Sequence, residues 1–241
     1  MKKILISILG LLILATIAAY MFIPGIVLDM ITTYDPYTFE MVLGNDTMRQ
    51  DFAIPNQNKP EDYGFKSEEV DYKSLDGTNL NGWYVRANKS TGHCLVLIHG
   101  RTSNRLKTMK YLALVDSLQL DTCYNVFIPD LRNSGKSEPA KTYMGYKFGE
   151  DVTASLLMLH QKYQQVTVVL YGFSMGAMAI ANAVGRPELS EKEQAEGIMV
   201  EKIILDSPLA NVKKTLHEQA NEVPIAKPFF NKVFSKYSDE I

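Results

Sequence analysis

Hydrophobic and polar positions divide the chain into three stretches. After Met1-Lys2-Lys3 no charged residue occurs until Asp29, and the 25 residues Ile4–Leu28 are dominated by Ile, Leu and Ala. A bilayer core takes about 20 apolar residues in a helix, so the pattern predicts one N-terminal transmembrane helix within 1–28. A cleaved signal peptide is the competing reading. Its apolar region usually runs about 7–15 residues, and Ala15, Ala18 and Ala19 lack Ala-x-Ala spacing. Lys2 and Lys3 precede the segment, while Asp29, Asp35, Glu40 and Asp46 follow it. The positive-inside bias then expects a single-pass anchor with the rest of the chain outside the cytoplasm. Residues 29–63 read as a tether, because Asp35-Pro36, Ile54-Pro55 and Lys59-Pro60 interrupt any long helix and Asn56-Gln57-Asn58 is loop material.

Residues 64–241 carry a different rhythm. Glu69–Ser74 alternates, Leu75-Asp76-Gly77-Thr78 supplies a turn, and Leu80–Val85 alternates again, which predicts an antiparallel hairpin. Short apolar runs follow at Cys94–Ile98, Val126–Ile128, Val166–Tyr171 and Ile203–Leu205. Between them, Leu106–Leu118, Tyr146–Tyr163 and Met175–Val184 have helical patterning. The Glu-rich segment Gly185–Gly197 reads as a short polar insertion. Continuous apolar strands separated by amphipathic helices predict an α/β fold, with a mostly parallel sheet covered by helices on both faces. Chemistry in such sheets sits at the carboxyl ends of the strands.

Charge narrows the function classes. Lys+Arg number 25 against 27 Asp+Glu, for a net charge of −2, which excludes the basic excess of a nucleic-acid-binding domain. The two cysteines form no C-x-x-C pair. The four histidines, at 93, 99, 160 and 217, form no H-E-x-x-H. No metal or other cofactor is therefore predicted. A compartment outside the cytoplasm permits a disulfide between Cys94 and Cys123, and each also suits a small buried hydrophobe.

The informative residues fall at strand ends. Gly172-x-Ser174-x-Gly176 joins the third apolar run to the small-residue helix Ala177–Ala181, which is the nucleophile-elbow pattern. A sharp turn there lifts a serine hydroxyl clear of the sheet, and the helix start favours developing negative charge. His99-Gly100-Arg101 ends the first run, where a backbone N–H completes an oxyanion hole. His99 itself is expected to hold the loop by hydrogen bonds. Gly135-Lys136-Ser137 has the look of a phosphate-binding loop, but position 130 is Asp where that loop needs Gly, and Glu138-Pro139 stands where its helix would start.

Taken in order, the His99-Gly100 turn, Asp130-x-Arg132-x-x-Gly135-x-Ser137, the elbow and Asp206-Ser207-Pro208 resemble the serine-hydrolase branch of the α/β-hydrolase superfamily, especially its small membrane-anchored bacterial members. The resemblance covers roughly residues 63–210. It implies Ser174 as nucleophile, the backbone N–H groups of Met175 and Arg101 as oxyanion hole, and structural roles for Arg132 and the Gly135 loop. It places His99 beneath the site, and it brings Cys94 and Cys123 to the amino ends of adjacent strands. It also implies a triad acid and histidine late in the chain. After Asp206 the sequence reads as helix and loop, over Val212–Asn221 and Phe229–Tyr237 with Pro224 and Pro228 between. The expectation is thus an α/β-hydrolase fold lacking its last strands, with Asp206 and His217 as stand-ins for acid and base. The expected function is cleavage of an ester, thioester or amide of a small-molecule or acyl substrate through an acyl-enzyme. The alternative is a catalytically inactive fragment, pseudoenzyme or binding module of the same fold.

Overall fold

The computed structural model describes residues 2–32, 34–51, 56–89, 91–208, 214, 231 and 232. Two compact units divide the chain, Met1–Thr33 with Ala210–Ile241, and Tyr34–Leu209. In the first unit α1 runs over Lys2–Thr32. Its stretch Ile6–Ile26 is 21 residues long and apolar enough to cross a membrane, as a signal sequence near an N-terminus would also be. Thr16 satisfies its hydroxyl inside the helix by donating to the Leu12 carbonyl at 2.8 Å.

The second unit is built on a six-stranded sheet of order β1-β2-β4-β3-β5-β6. β1 (Ser67–Lys73) and β2 (Asn79–Val85) form the expected hairpin. Its turn is closed by Thr78, whose N–H and hydroxyl both donate to Asp76 Oδ1, as short Asp side chains do in turns. β2 pairs antiparallel with β4 (Asn125–Asp130). β4, β3 (His93–Ile98), β5 (Thr167–Phe173) and β6 (Met199–Asp206) run parallel. The mostly parallel α/β architecture is as the periodicity predicts.

Two short helices, α2 (Phe39–Leu43) and α3 (Asp46–Asp51), lie within the stretch read as a tether. That reading is corrected here over 34–51. Tyr37, Phe39 and Val42 are buried in the domain core with Trp83, Leu106 and Ile128. The Phe39 and Trp83 rings lie 5.8 Å apart, and the Tyr37 carbonyl accepts from Gly135 N–H at 2.8 Å. Aromatic surface at positions 37 and 39 outweighs the helix-breaking Pro36, because burial of such side chains is worth about 1.5–3 kcal/mol each.

The helix expected over Leu106–Leu118 is broken into α4 (Arg105–Thr108), a 3₁₀ turn at Met109–Tyr111, and α5 (Leu112–Ser117). Its buried residues explain the break. Leu106, Met109, Leu112 and Val115 recur every three positions and are all at most 1% exposed. A stripe of strict period three keeps facing the sheet only where the backbone tightens toward three residues per turn. α6 (Tyr146–Tyr163) and α7 (Met175–Gly185) match their predicted spans closely.

Gly185–Gly197 is corrected from a polar insertion to a helix, α8 (Pro187–Ala195), with proline at its first turn. Its Glu residues face solvent except Glu193, which is buried and accepts from Thr153 Oγ1 at 2.8 Å. Burial pushes the Glu193 carboxyl up to about 7. Between roughly pH 4.5 and 7 the folded form therefore holds a proton that the unfolded chain has lost. Stability falls as pH rises through that window, by about 3 kcal/mol in all. Glu193→Gln should melt close to wild type near pH 4.5 and above it at pH 8. Equal melting midpoints at pH 8 would remove the Glu193 penalty.

β3 and β4 pair in parallel with Cys94 opposite Asn125, so the strands carrying Cys94 and Cys123 at their amino ends are neighbours. No disulfide joins the two thiols. Cys94 is buried and free, and Cys123 is exposed and free.

Candidate active site

β5 turns into α7 through Ser174, whose backbone has φ 52° and ψ −116°. A serine in this region is strained by about 1–3 kcal/mol and persists only where its surroundings enforce it. Here they do so from both sides. Ser174 N–H donates to the Asp206 carbonyl at 2.8 Å, and the Ser174 carbonyl accepts from Ala177 and Met178. The flanking glycines allow the approach. A Cβ on Gly172 would lie 2.6 Å from the Gly176 backbone, and one on Gly176 would lie 2.4 Å from the His99 carbonyl oxygen. Strand, elbow and the His99-Gly100 turn are thus in direct backbone contact.

Gly100 lies against Ser174. A Cβ built on it would be 3.3 Å from Ser174 Cβ. Arg101 follows in that turn, with its guanidinium 4.8 Å from the Tyr34 ring centre. Met175 opens α7 on the other side and is buried. The first N–H groups of a helix have no acceptor within it, and Met175 N–H is the first of α7.

His99 lies beneath this surface. Its Nδ1 is 2.7 Å from the Gly100 carbonyl oxygen, and its Nε2 accepts from Leu131 N–H at 3.0 Å. That pairing defines the Nδ1–H tautomer and occupies both ring nitrogens. Burial, opposed in part by Asp130, holds its pKa below the ordinary histidine value. His99 is therefore a neutral strut with no nitrogen to spare for Ser174. His160 lies at the carboxyl end of α6, with Nδ1 3.3 Å from the Gln165 carbonyl. His217 lies outside the described residues.

Asp206 ends β6 beside the elbow. The Tyr171 hydroxyl is 2.7 Å from both Asp206 Oδ2 and the Tyr111 hydroxyl. With one proton to give, it donates to the carboxylate and accepts from Tyr111. Ser207 donates to the other oxygen, Oδ1, at 2.9 Å. The hydroxyls of Tyr171 and Ser207 hold Asp206 below the usual carboxylate range. Burial and then Tyr111 push the Tyr171 phenol up. This tyrosine pair carries no motif, since Tyr111 and Tyr171 are 60 positions apart.

The loop resembling a phosphate cradle is consumed by the fold. Asp130 is fully buried and accepts from the backbone N–H groups of Arg105 and Lys136. Lys136 Nζ pairs with Glu69, and the Ser137 hydroxyl donates to the Asp130 carbonyl. Arg132 is buried between Asp151, Asp76 and Ser74. Among the described residues, no group of three or more His, Cys, Asp and Glu side chains is placed to hold a metal ion.

A mostly parallel sheet with a strained serine elbow at its carboxyl edge defines the α/β-hydrolase class of proteins. A family model of the alpha/beta hydrolase fold matches residues 94–237, more than half the chain, and the chain belongs to that family. It is 30% identical over 180 residues to the uncharacterized protein YqkD of Bacillus subtilis, covering 74% of this chain and 54% of that one. It is 28% identical over 153 residues to YfhR of Escherichia coli K12, covering 61% and 49%. The chain thus spans about half the length of the curated relatives it matches. Among solved structures it is similar to the Pyrococcus furiosus esterase Pf2001, with 25% identity, a TM-score of 0.55, and coverage of 76% of this chain and 66% of that one.

Proposed function

We propose that the chain is a serine hydrolase that cleaves an ester, thioester or amide through an acyl-enzyme on Ser174. The observation that carries this reading is the Ser174 backbone, whose strain an ordinary strand-to-helix turn would avoid. The esterase Pf2001 among its structural neighbours supports it. In this mechanism Ser174 Oγ attacks the carbonyl carbon and gives its proton to a base. His217, which follows Ser174 in sequence, is the candidate for that base within the chain. The oxygen of the tetrahedral intermediate takes hydrogen bonds from the N–H groups of Met175 and Arg101, reinforced by the positive end of α7. Collapse expels the alcohol, thiol or amine with the proton. Water repeats the attack and frees the acid. Asp206 braces the elbow through its carbonyl and through Tyr171, which its hydrogen bonds favour over orienting an imidazole.

The deciding measurement is labelling by a fluorophosphonate probe. Wild type should be labelled and Ser174→Ala should not. A folded wild type that resists the probe while keeping native melting would instead assign the chain to the inactive, binding class.

In the same proposal α1 is a retained anchor, with the residues after it outside the cytoplasm. Protease added to spheroplasts should digest the domain. A protected domain would reverse the topology, and a shortened soluble product would make α1 a signal sequence.

A further inference from the structure

The turn that follows β3 is strained where it leaves Ser174. Thr102 has φ 48°, a left-handed conformation that a β-branched residue keeps only when its surroundings enforce it. Within the turn, the Thr102 hydroxyl donates to the Arg101 carbonyl at 2.8 Å. Further enforcement comes from a segment that precedes the first strand. Tyr34 sets its ring 4.8 Å from the Arg101 guanidinium, and its buried hydroxyl neighbours Ser134, the Thr102 backbone and Asn133. Burial pushes the Tyr34 phenol up, so it stays a neutral hydroxyl. Tyr37 holds the far end of the turn. Its carbonyl accepts from Asn104 Nδ2 at 3.1 Å, and Asn104 Oδ1 caps α4 by accepting from Leu106 N–H at 3.0 Å.

The same segment is fixed from behind. The Tyr34 carbonyl accepts from Asn133 Nδ2 at 2.7 Å. Tyr37 N–H donates to the Asn133 carbonyl at 3.3 Å, and the Tyr37 carbonyl also accepts from Gly135 N–H at 2.8 Å. Between the two tyrosines Asp35-Pro36 is stiff, because proline fixes its own φ and restricts the residue before it. Residues 34–37 are therefore a rigid strut that braces the β3 turn against the loop after β4. Its place gives the contact its weight. Arg101 adjoins Gly100, and a Cβ on Gly100 would lie 3.3 Å from Ser174 Cβ. A shift of the turn thus moves Arg101 N–H relative to the serine.

We propose that Tyr34 is a positioning residue for the hydrolysis, holding the β3 turn so that Arg101 N–H meets the oxyanion, without itself touching substrate. The inference rests on Ser174 as nucleophile and Arg101 N–H as oxyanion donor, and one readout below is independent of both. The full chain in detergent is assayed on 4-nitrophenyl acetate. Tyr34→Ala should lower kcat about 10-fold or more with KM within about twofold, since a misplaced oxyanion donor costs transition-state binding and little substrate binding. Tyr34→Phe keeps the ring against the guanidinium and should recover most of that rate. Arg101→Ala removes the other half of the stack, so the Tyr34→Ala/Arg101→Ala double variant should lose no more than the worse single. Independently of turnover, hydrogen exchange read by mass spectrometry should be faster over residues 100–104 in Tyr34→Ala and unchanged over β5. Faster exchange at the turn in a chain without Ser174-dependent turnover would keep Tyr34 as its brace and defeat the hydrolase reading. Unchanged exchange over 100–104, or Ser174-dependent turnover that Tyr34→Ala leaves at the wild-type kcat, would overturn the assignment. Exchange raised over β5 as well, in both Tyr34→Ala and the bulkier Tyr34→Leu, would overturn it too, making Tyr34 a residue of general stability.

Discussion

Ser174→Ala is expected to eliminate fluorophosphonate labelling and to lower ester turnover by a factor on the order of 10⁴–10⁶, the range that loss of a serine nucleophile costs in related chemistry. The fold should survive, because alanine keeps the Cβ and with it the same backbone geometry. Ser174→Gly is the informative companion. Glycine takes φ 52° without a side-chain clash, so this variant should be equally inactive yet melt at or above wild type. Together the pair separates the strain of the elbow from its chemistry. The strain is a stability cost held in place by the Asp206 carbonyl on one side and the N–H groups of Ala177 and Met178 on the other. His217→Ala adds the test of the base. A loss as deep as that of Ser174→Ala assigns His217 to the proton transfer, whereas full turnover removes it from the mechanism. A Ser174→Gly variant less stable than wild type would contradict the strain assigned to residue 174.

The elbow was legible because everything that makes it is local. Gly172, Ser174 and Gly176 sit within five positions, and the clashes that exclude larger residues there involve their immediate neighbours in the turn and one adjacent strand. The strands were legible for a similar reason, since Val96, Ile128 and Leu170 stand in continuous apolar runs that only a doubly covered sheet uses. What escaped depends on partners far along the chain. Tyr37 and Phe39 look like residues of a linker until Asn133, Gly135 and Trp83 are placed against them. Leu189 and Glu193 of α8 face inward onto the fold, with Glu193 bonded to Thr153 of α6, and nothing in a Glu-rich segment announces that. The three-residue period of Leu106, Met109, Leu112 and Val115 stands in the sequence, but an α-helix tolerates it equally well. At the site, the Tyr111–Tyr171–Asp206 chain arises from side chains converging on one strand end. Such convergence leaves no spacing to read.

The second large effect is on stability, and it comes from Arg132. Its guanidinium holds three elements together. It reaches Asp151 of α6 at 2.7 Å, and Asp76 and Ser74 of the β1–β2 turn at 2.8 and 3.0 Å. Asp151 is fully buried, while Asp76 is about one third exposed. Arg132→Ala leaves the Asp151 charge inside the protein with only Ser74 and the residue 132 N–H to meet it. Loss of one partner from a buried pair costs about 3–5 kcal/mol. Arg132→Lys should recover part of that, since a single ammonium cannot reach all three partners in the plane that the guanidinium fork provides. The sign of the pH dependence follows from both carboxyls. In wild type, burial opposes ionisation of Asp76, but the hydrogen bonds from Arg132 outweigh it and hold the carboxyl well below its usual range. That contribution is present above the unfolded pKa near 4 and fades as pH falls through the folded value. In Arg132→Ala the Asp151 carboxylate keeps its burial and loses its cation, so the variant carries the cost of an unpaired buried charge, greatest where carboxyls are ionised. The deficit should therefore be smaller at pH 4.5 than at pH 7.5, as read from urea denaturation at the two values. Adding Asp151→Asn to Arg132→Ala should recover stability at pH 7.5 and little at pH 4.5. A deficit equal at both pH values, and indifferent to Asp151→Asn, would mean that Arg132 contributes through packing of its side chain and not through the charge it neutralises.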